Sequence, residues 1–302
     1  MWPGAIGVAL FGVLAASFSW ISGGPKVGVA VVVSLAILGV IAIMLEGHTW
    51  ALATMLLLLG IGYGFAASRG VGSAVLQLPI LVPYFMMSPP GLFSTDDPKI
   101  TPQYVLCVVA VIIGAGLWSV LVLHKAAGIR HVKRLEVTDP RMPLLYGTIL
   151  GIFSAIIMIL ATTCIFHSHW VWVTLTIYVL ADPTELVNWK KMSGRVLGTL
   201  AGFGVVTVLA LVGTPDEVML ILALPALWFC LYWMVTKKPY WQYIMFLTLT
   251  VVLMNSYGVN TLLMDGQRIG FTIVGAALSV LAAFLINLLH YHRRGITRPA
   301  AS

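Results

Sequence analysis

Charge is scarce in this chain. Of 302 residues, 17 are Lys or Arg and 10 are Asp or Glu, so only 9% are charged. A soluble domain carries about 25%. So few ionised groups cannot cover a water-exposed surface, and this excludes a water-soluble particle. Cysteine is also rare. Cys107, Cys164 and Cys230 lie far apart inside apolar stretches. That excludes a disulfide framework or a Cys-built metal site, and the three read as small hydrophobes. Catalytic signatures are missing too. There is no nucleophile elbow, no phosphate-binding Gly loop, no metal-ligand spacing and no carboxylate pair on one face. An enzyme is therefore not expected, nor any metal or cofactor. His167 and His169 read as an interfacial turn rather than a metal pair.

What the chain has instead is apolar bulk: 60% hydrophobic residues and a mean hydropathy of +1.00. A bilayer core about 30 Å thick needs roughly 20 apolar residues per helix. Runs of near that length fall at about 5–20, 27–46, 49–68, 72–88, 103–124, 144–166, 169–182, 194–212, 217–236, 240–257 and 267–290. The fold class expected is an all-α polytopic membrane protein of about eleven transmembrane helices. The 169–182 run is the shortest, so whether it fully spans is open.

The loops between these runs alternate in character. Basic ones hold Lys26, Arg69, the 124–141 stretch, Lys190 with Lys191 and Arg195, Lys237 with Lys238, and the His290–Arg298 tail. The others hold Glu46, Asp96 with Asp97, His167, Asp216 with Glu217, and Asp265. By the positive-inside rule the basic set faces the cytoplasm. This places the C-terminus inside and the N-terminus outside, and it accounts for the net charge of +7 without nucleic acid. Trp50 and Trp170 then fall at the outer boundary, and Trp189, Trp233 and Trp241 at the inner one. The N-terminus lacks the basic start of a signal peptide and reads as a retained first span.

The halves look like degenerate copies. "ISGGPKVGVAVVVSLAILGVI" (21–41) parallels "KMSGRVLGTLAGFGVVTVLAL" (191–211), and the flanking loops keep their side of the membrane. The expected organisation is two parallel repeats, five spans then six. A first repeat covers 1–127, a basic cytoplasmic linker 128–143, a second repeat 144–292, and a cytoplasmic tail 293–302. The linker is too short for a soluble domain and has the composition of an interfacial helix. Gly pairs four apart (Gly24/Gly28, Gly60/Gly64, Gly147/Gly151, Gly198/Gly202) suit close helix packing.

One stretch stands out: "HWVWVTLTIYVLADPTELVNWKKMSGRVLGTLAG" (169–202). Pro183 ends a helix after Asp182, because proline lacks the amide donor and constrains its predecessor. Ser193 has the chemistry of an N-cap for the next helix. Arg195 would then lie in the first turn, sharing a face with Gly198, Thr199 and Gly202. A helix start already carries partial positive charge. Arg195, with Lys190 and Lys191, makes either an anion-attracting spot at a membrane mouth or a plain anchor whose side chain snorkels to the headgroups. Lys26 is the equivalent in the first copy, and Asp182 could pair with Arg195. "QLPILVPYF" (77–85) puts Pro79 and Pro83 one turn apart after Gln77. It reads either as a broken helix lining a path or as a kinked packing helix. Asn255 occupies the matching place in the second copy.

The pattern Trp170, Thr174, Pro183, Arg195, Gly198, Thr199 and Gly202 resembles the signature of the fusaric acid resistance (FUSC-like) membrane family, with Arg268, Thr272 and Gly275 similar to its closing segment. The group includes aromatic carboxylic acid exporters and, more distantly, the aluminium-activated malate transporters of plants. The resemblance covers about 144–290. It implies a transporter of small organic anions, and in two-membraned bacteria a periplasmic adaptor as partner. The expectation is a homo-oligomeric, dimeric protein of the bacterial inner membrane that exports small organic acids. Its substrate-binding candidates are Arg195, Lys26, Thr199, Gly198, Thr174, Asp182, Gln77 and Asn255. Few ionisable groups lie deep in the apolar runs, so no proton relay of the kind pumps use is expected. The rivals are an uncoupled anion channel and a non-transporting subunit of a larger membrane assembly.

Overall fold

The computed structural model describes residues 3–87, 100–127, 137, 139–163, 170–180, 189–236, 239–255 and 261–295. Twelve helices make up these residues: α1 (Pro3–Gly23), α2 (Pro25–Met44), α3 (Thr49–Ser68), α4 (Gly72–Val75), α5 (Gln77–Met87), α6 (Pro102–Ala127), α7 (Arg141–Thr163), α8 (Val171–Leu180), α9 (Trp189–Leu211), α10 (Asp216–Val235), α11 (Tyr240–Asn255) and α12 (Thr261–Gly295). No strand occurs among the described residues. Six helices are long and apolar enough to cross a membrane, within α1, α2, α3, α6, α7 and α9. Five shorter apolar stretches accompany them. The protein is an all-α polytopic membrane protein. Large apolar side chains such as Leu58, Trp118, Val208 and Ile221 are exposed. That is unfavourable in water and expected against lipid.

The expected 72–88 span is two helices, and the sequence explains the break. Pro79 has no N–H to bond the carbonyl of Val75, and α4 ends at Val75. The neighbouring carbonyl, of Ala74, accepts a 2.6 Å hydrogen bond from Ser19 Oγ on α1. Pro79 then sits in the first turn of α5, where its missing donor costs nothing. Pro83 lies inside α5, which stays helical. From Pro79 to Met87 every residue of α5 is buried, so it faces protein on all sides.

α8 is shorter than expected. Its ten residues rise about 15 Å, half of an apolar bilayer core of about 30 Å. Nine of the ten are buried. α5 and α8 pack on each other, with Tyr84 meeting Trp172 edge-on at 5.8 Å between ring centroids. Phe11 of α1 joins them, 5.0 Å from Tyr84 and 5.6 Å from Phe85. Two short, enclosed helices thus form the middle of the bundle. α12 is longer than expected. Its 35 residues rise about 50 Å and exceed the bilayer core.

The most extensive contact joins α3 to α7. Gly60 and Gly64 face Gly147 and Gly151, and a Cβ on Gly147 would collide with the Gly64 backbone and the Gly60 carbonyl. In lipid, where apolar surface gives helices no reason to associate, this backbone approach supplies dispersion contact. α1 packs on α2 and α6, and α9 on α11 and α12. Linker residues 128–136 and 138 lie outside the described residues, as does the pair His167 and His169, and α7 takes in 141–143.

Gly147→Ala should therefore cost about 1–3 kcal/mol by forcing α3 and α7 apart. Gly62→Ala, where a Cβ meets nothing within 4 Å, should be neutral or gain up to about 1 kcal/mol from helix propensity. Thermal unfolding of the detergent-purified protein compares the two, and equal losses would contradict the packing account.

Candidate functional site

Among the described residues, Arg195 is the one buried side chain that carries a charge, with 4% of its surface exposed. Its Nε and Nη1 are enclosed and have no hydrogen-bond partner. Both features follow from how α9 sits. The helix begins at Trp189, several residues earlier than expected. Ser193 is therefore not its N-cap. It lies inside the helix, and its Oγ donates to the Lys190 carbonyl at 3.3 Å. Arg195 is correspondingly in the second turn. The helix dipole fades within the first turn, so the positive potential here comes from the guanidinium itself.

Burial follows from small residues. Gly194, Gly198 and Gly202, four apart, press α9 onto α11. A Cβ on Gly194 would lie 3.0 Å from Tyr240 Cδ1, and one on Gly202 would lie 2.8 Å from Thr248 Cβ. A Cβ on Gly198 would strike the Trp241 carbonyl. Gly198 thus belongs to the helix contact and brings α11 over Arg195. The adjoining face of α9 carries Arg195, Thr199 and Val206, all buried, while Leu197, Leu200 and Val208 point outward. The snorkelling alternative does not describe Arg195, whose guanidinium is enclosed.

Two tyrosines of α11 accompany it. Tyr240 and Tyr243 lie close enough for the Arg195 charge to act on both phenols. Their rings stand 6.0 Å apart. Tyr240 Oη is buried without a hydrogen-bond partner. Phe18 of α1 meets Tyr243 at 6.4 Å, so α1 reaches α11 on the element that carries both tyrosines. α11 is held in turn by a 2.6 Å hydrogen bond from Trp233 Nε1 of α10 to Gln242 Oε1. No sequence signal singled out Tyr240 and Tyr243, because aromatic residues at the end of an apolar span read as interfacial anchors.

The other candidates scatter. Lys26 is exposed in the first turn of α2, after Gly24, whose φ of +83° suits glycine at that bend. α2 packs on α1, α6 and α5, so Lys26 does not share the Arg195 enclosure. Thr199 is buried one turn from Arg195. Gln77 is buried at the head of α5. Thr174 is fully buried on α8, and its hydroxyl and that of Thr176 have no partner. Tyr178, one turn on from Thr174, accepts a 3.4 Å hydrogen bond from Ser154 of α7. Asp182 and the side chain of Asn255 lie outside the described residues. No group of three His, Cys, Asp or Glu suited to a metal occurs among the described residues.

With the geometry in place, the comparisons add one relationship. Residues 156–282 match the family described as fusaric acid resistance protein-like. The match is less than half of the chain, and it spans α8 to α11 and Arg195. No curated protein matches the chain, and no solved structure does.

An enclosed guanidinium without a counter-ion is costly, by several kcal/mol for an isolated ion, and an anion is its natural complement. A carboxylate present at 10–100 times its dissociation constant should stabilise the protein by about 1.4–2.7 kcal/mol. Benzoate is thus expected to raise the unfolding temperature of the wild type and to leave Arg195→Gln unmoved. A differential scan with and without benzoate measures this, and equal shifts in both proteins would separate Arg195 from anion binding.

Proposed function

We propose that this chain, FUSC-like over residues 156–282, is a membrane transporter that exports small organic acids, aromatic carboxylic acids among them. The observation that carries the reading is the buried guanidinium of Arg195, whose Nε and Nη1 have no hydrogen-bond partner among the described residues. In a bilayer an ionisable group that faces protein is a mark of function by default. Arginine in particular offers a planar fork of donors matched to a carboxylate. Tyr240 supplies a further unpartnered hydroxyl beside it, and Tyr243 and Phe18 add aromatic faces. Thr199 continues the buried face of α9 away from the mouth, and Thr174 offers a free hydroxyl on α8. Lys26, exposed, serves as an outlying attractor that raises the local anion concentration, a role that salt weakens.

The rest of the reading follows the charge pattern and the internal likeness. The protein belongs in the bacterial cytoplasmic membrane with its C-terminus on the cytoplasmic side, where the basic loops lie. Its two halves are degenerate parallel repeats. Matching helix pairs pack in both halves: α1 with α6 and α8 with α12, α2 with α6 and α9 with α12, α2 with α5 and α9 with α11. A homodimer, working with a periplasmic adaptor, completes the assembly.

Efflux of benzoate from cells expressing the protein tests this. Arg195→Ala should lower the rate by about tenfold or more, the worth of one charge-assisted hydrogen bond. Lys26→Ala should lower it by less than about threefold, an effect that vanishes at high salt. Wild-type efflux from Arg195→Ala would refute the reading.

A further inference from the structure

Coupling is the question the site leaves unanswered, and the distribution of charge bears on it. A carrier driven by protons needs a buried group that takes up and releases a proton on the way. Among the described buried side chains no carboxylate, histidine or lysine occurs. The buried polar set consists of Ser, Thr and Gln hydroxyls and amide, with Arg195 as its single ion. Arginine stays protonated in proteins, so it cannot relay a proton. Among the described residues it is also uncompensated, because no acidic side chain there meets Nε or Nη1.

A fixed positive charge inside a closed bundle behaves differently in the empty and the loaded protein. When an anion occupies the site, the pair is neutral and the surrounding helices can close over it at low cost. When the site is empty, closure encloses a naked guanidinium, and the desolvation penalty is not offset. The enclosing parts are tight. Glycines bring α11 against α9, the rings of Tyr240 and Tyr243 stand 6.0 Å apart on α11, and Arg195 keeps almost no contact with solvent. The empty protein therefore favours a conformation that opens the site to water, and it crosses between its two open forms slowly. The loaded protein crosses readily in either direction.

From this we infer that the protein is an anion exchanger: outward movement of one organic monoanion is tied to inward movement of another, and Arg195 enforces the tie. The inference rests on the transport reading above and adds the coupling mode to it. One monoanion leaves and one enters per cycle, so no net charge moves and no proton is consumed.

The test uses the full chain in proteoliposomes loaded with labelled benzoate. The buffer is alkaline potassium phosphate with valinomycin, so that benzoate stays ionised and the potential is clamped. Loss of label is followed after dilution into the same buffer with or without unlabelled benzoate, and protein-free vesicles are subtracted. External benzoate is expected to speed the loss by about tenfold, as one uncompensated charge-assisted contact implies. Arg195→Gln removes the charge and should bring that ratio close to one, whereas Arg195→Lys should keep it. A monodisperse elution profile for Arg195→Gln shows that the variant is folded. Equal loss with and without external benzoate from the wild type would overturn the inference and leave transport standing as a channel or uniport. An undiminished ratio in Arg195→Gln would overturn the role of Arg195. No protein-dependent flux under either condition would sink the transport reading itself, and the inference with it.

Discussion

Enclosing one cation in a helical bundle that otherwise buries neutral groups sets the terms for the second half of this protein. Arg195 has almost no contact with solvent, and among the described residues no acidic side chain meets its Nε or Nη1. The isolated charge must be kept from collapsing the packing around it. Its immediate neighbours are close-packed helices. Gly194, Gly198 and Gly202 bring α11 onto α9, and the Trp233–Gln242 hydrogen bond ties α11 to α10. The outward face of α9, with Leu197, Leu200 and Val208, suits lipid. The helix therefore has one apolar side for the membrane and one side reserved for the charge.

The same economy of polar groups shapes the centre of the bundle. A lipid-facing backbone must be fully hydrogen-bonded, so broken helices can survive only where protein surrounds them. α5 and α8 obey this. Over their described residues both are short, both are enclosed, and they meet through Tyr84 and Trp172. At the break between α4 and α5 the Ala74 carbonyl accepts a hydrogen bond from Ser19. Away from this centre, backbone contact between the paired glycines of α3 and α7 joins the first half to the second. Glycine thus serves two ends: in α3 and α7 it binds helices together, and in α9 it holds a partner over a charge.

Much of the architecture could be read from the residues in order. The eleven apolar runs correspond to the eleven apolar helical stretches, because hydropathy and length are properties of a segment by itself. The family resemblance was legible in the motif around Trp170, Thr174 and Arg195, and residues 156–282 match that family. The boundaries were less so. Ser193 has a capping side chain, but α9 continues through it to Trp189, since lysines and tryptophan extend a helix as well as they end one. Pro79 and Pro83 look alike in sequence. Only Pro79 coincides with a break, where the Ala74 carbonyl accepts a hydrogen bond from Ser19.

By itself the sequence determined that this is a membrane protein of many helices, FUSC-like in its second half, with a cation near the start of one span. Those are consequences of composition, run length and local motif. Only the tertiary structure decided that Arg195 is enclosed while Lys26 is exposed. The two share a sequence setting, a basic residue after a glycine-rich turn, and differ in what other helices lay beside them. Burial depends on neighbours that arrive from distant parts of the chain, as α11 brings Tyr240 and Tyr243 to Arg195. No local pattern encodes that approach, because it is the shape of the assembled bundle that removes the water.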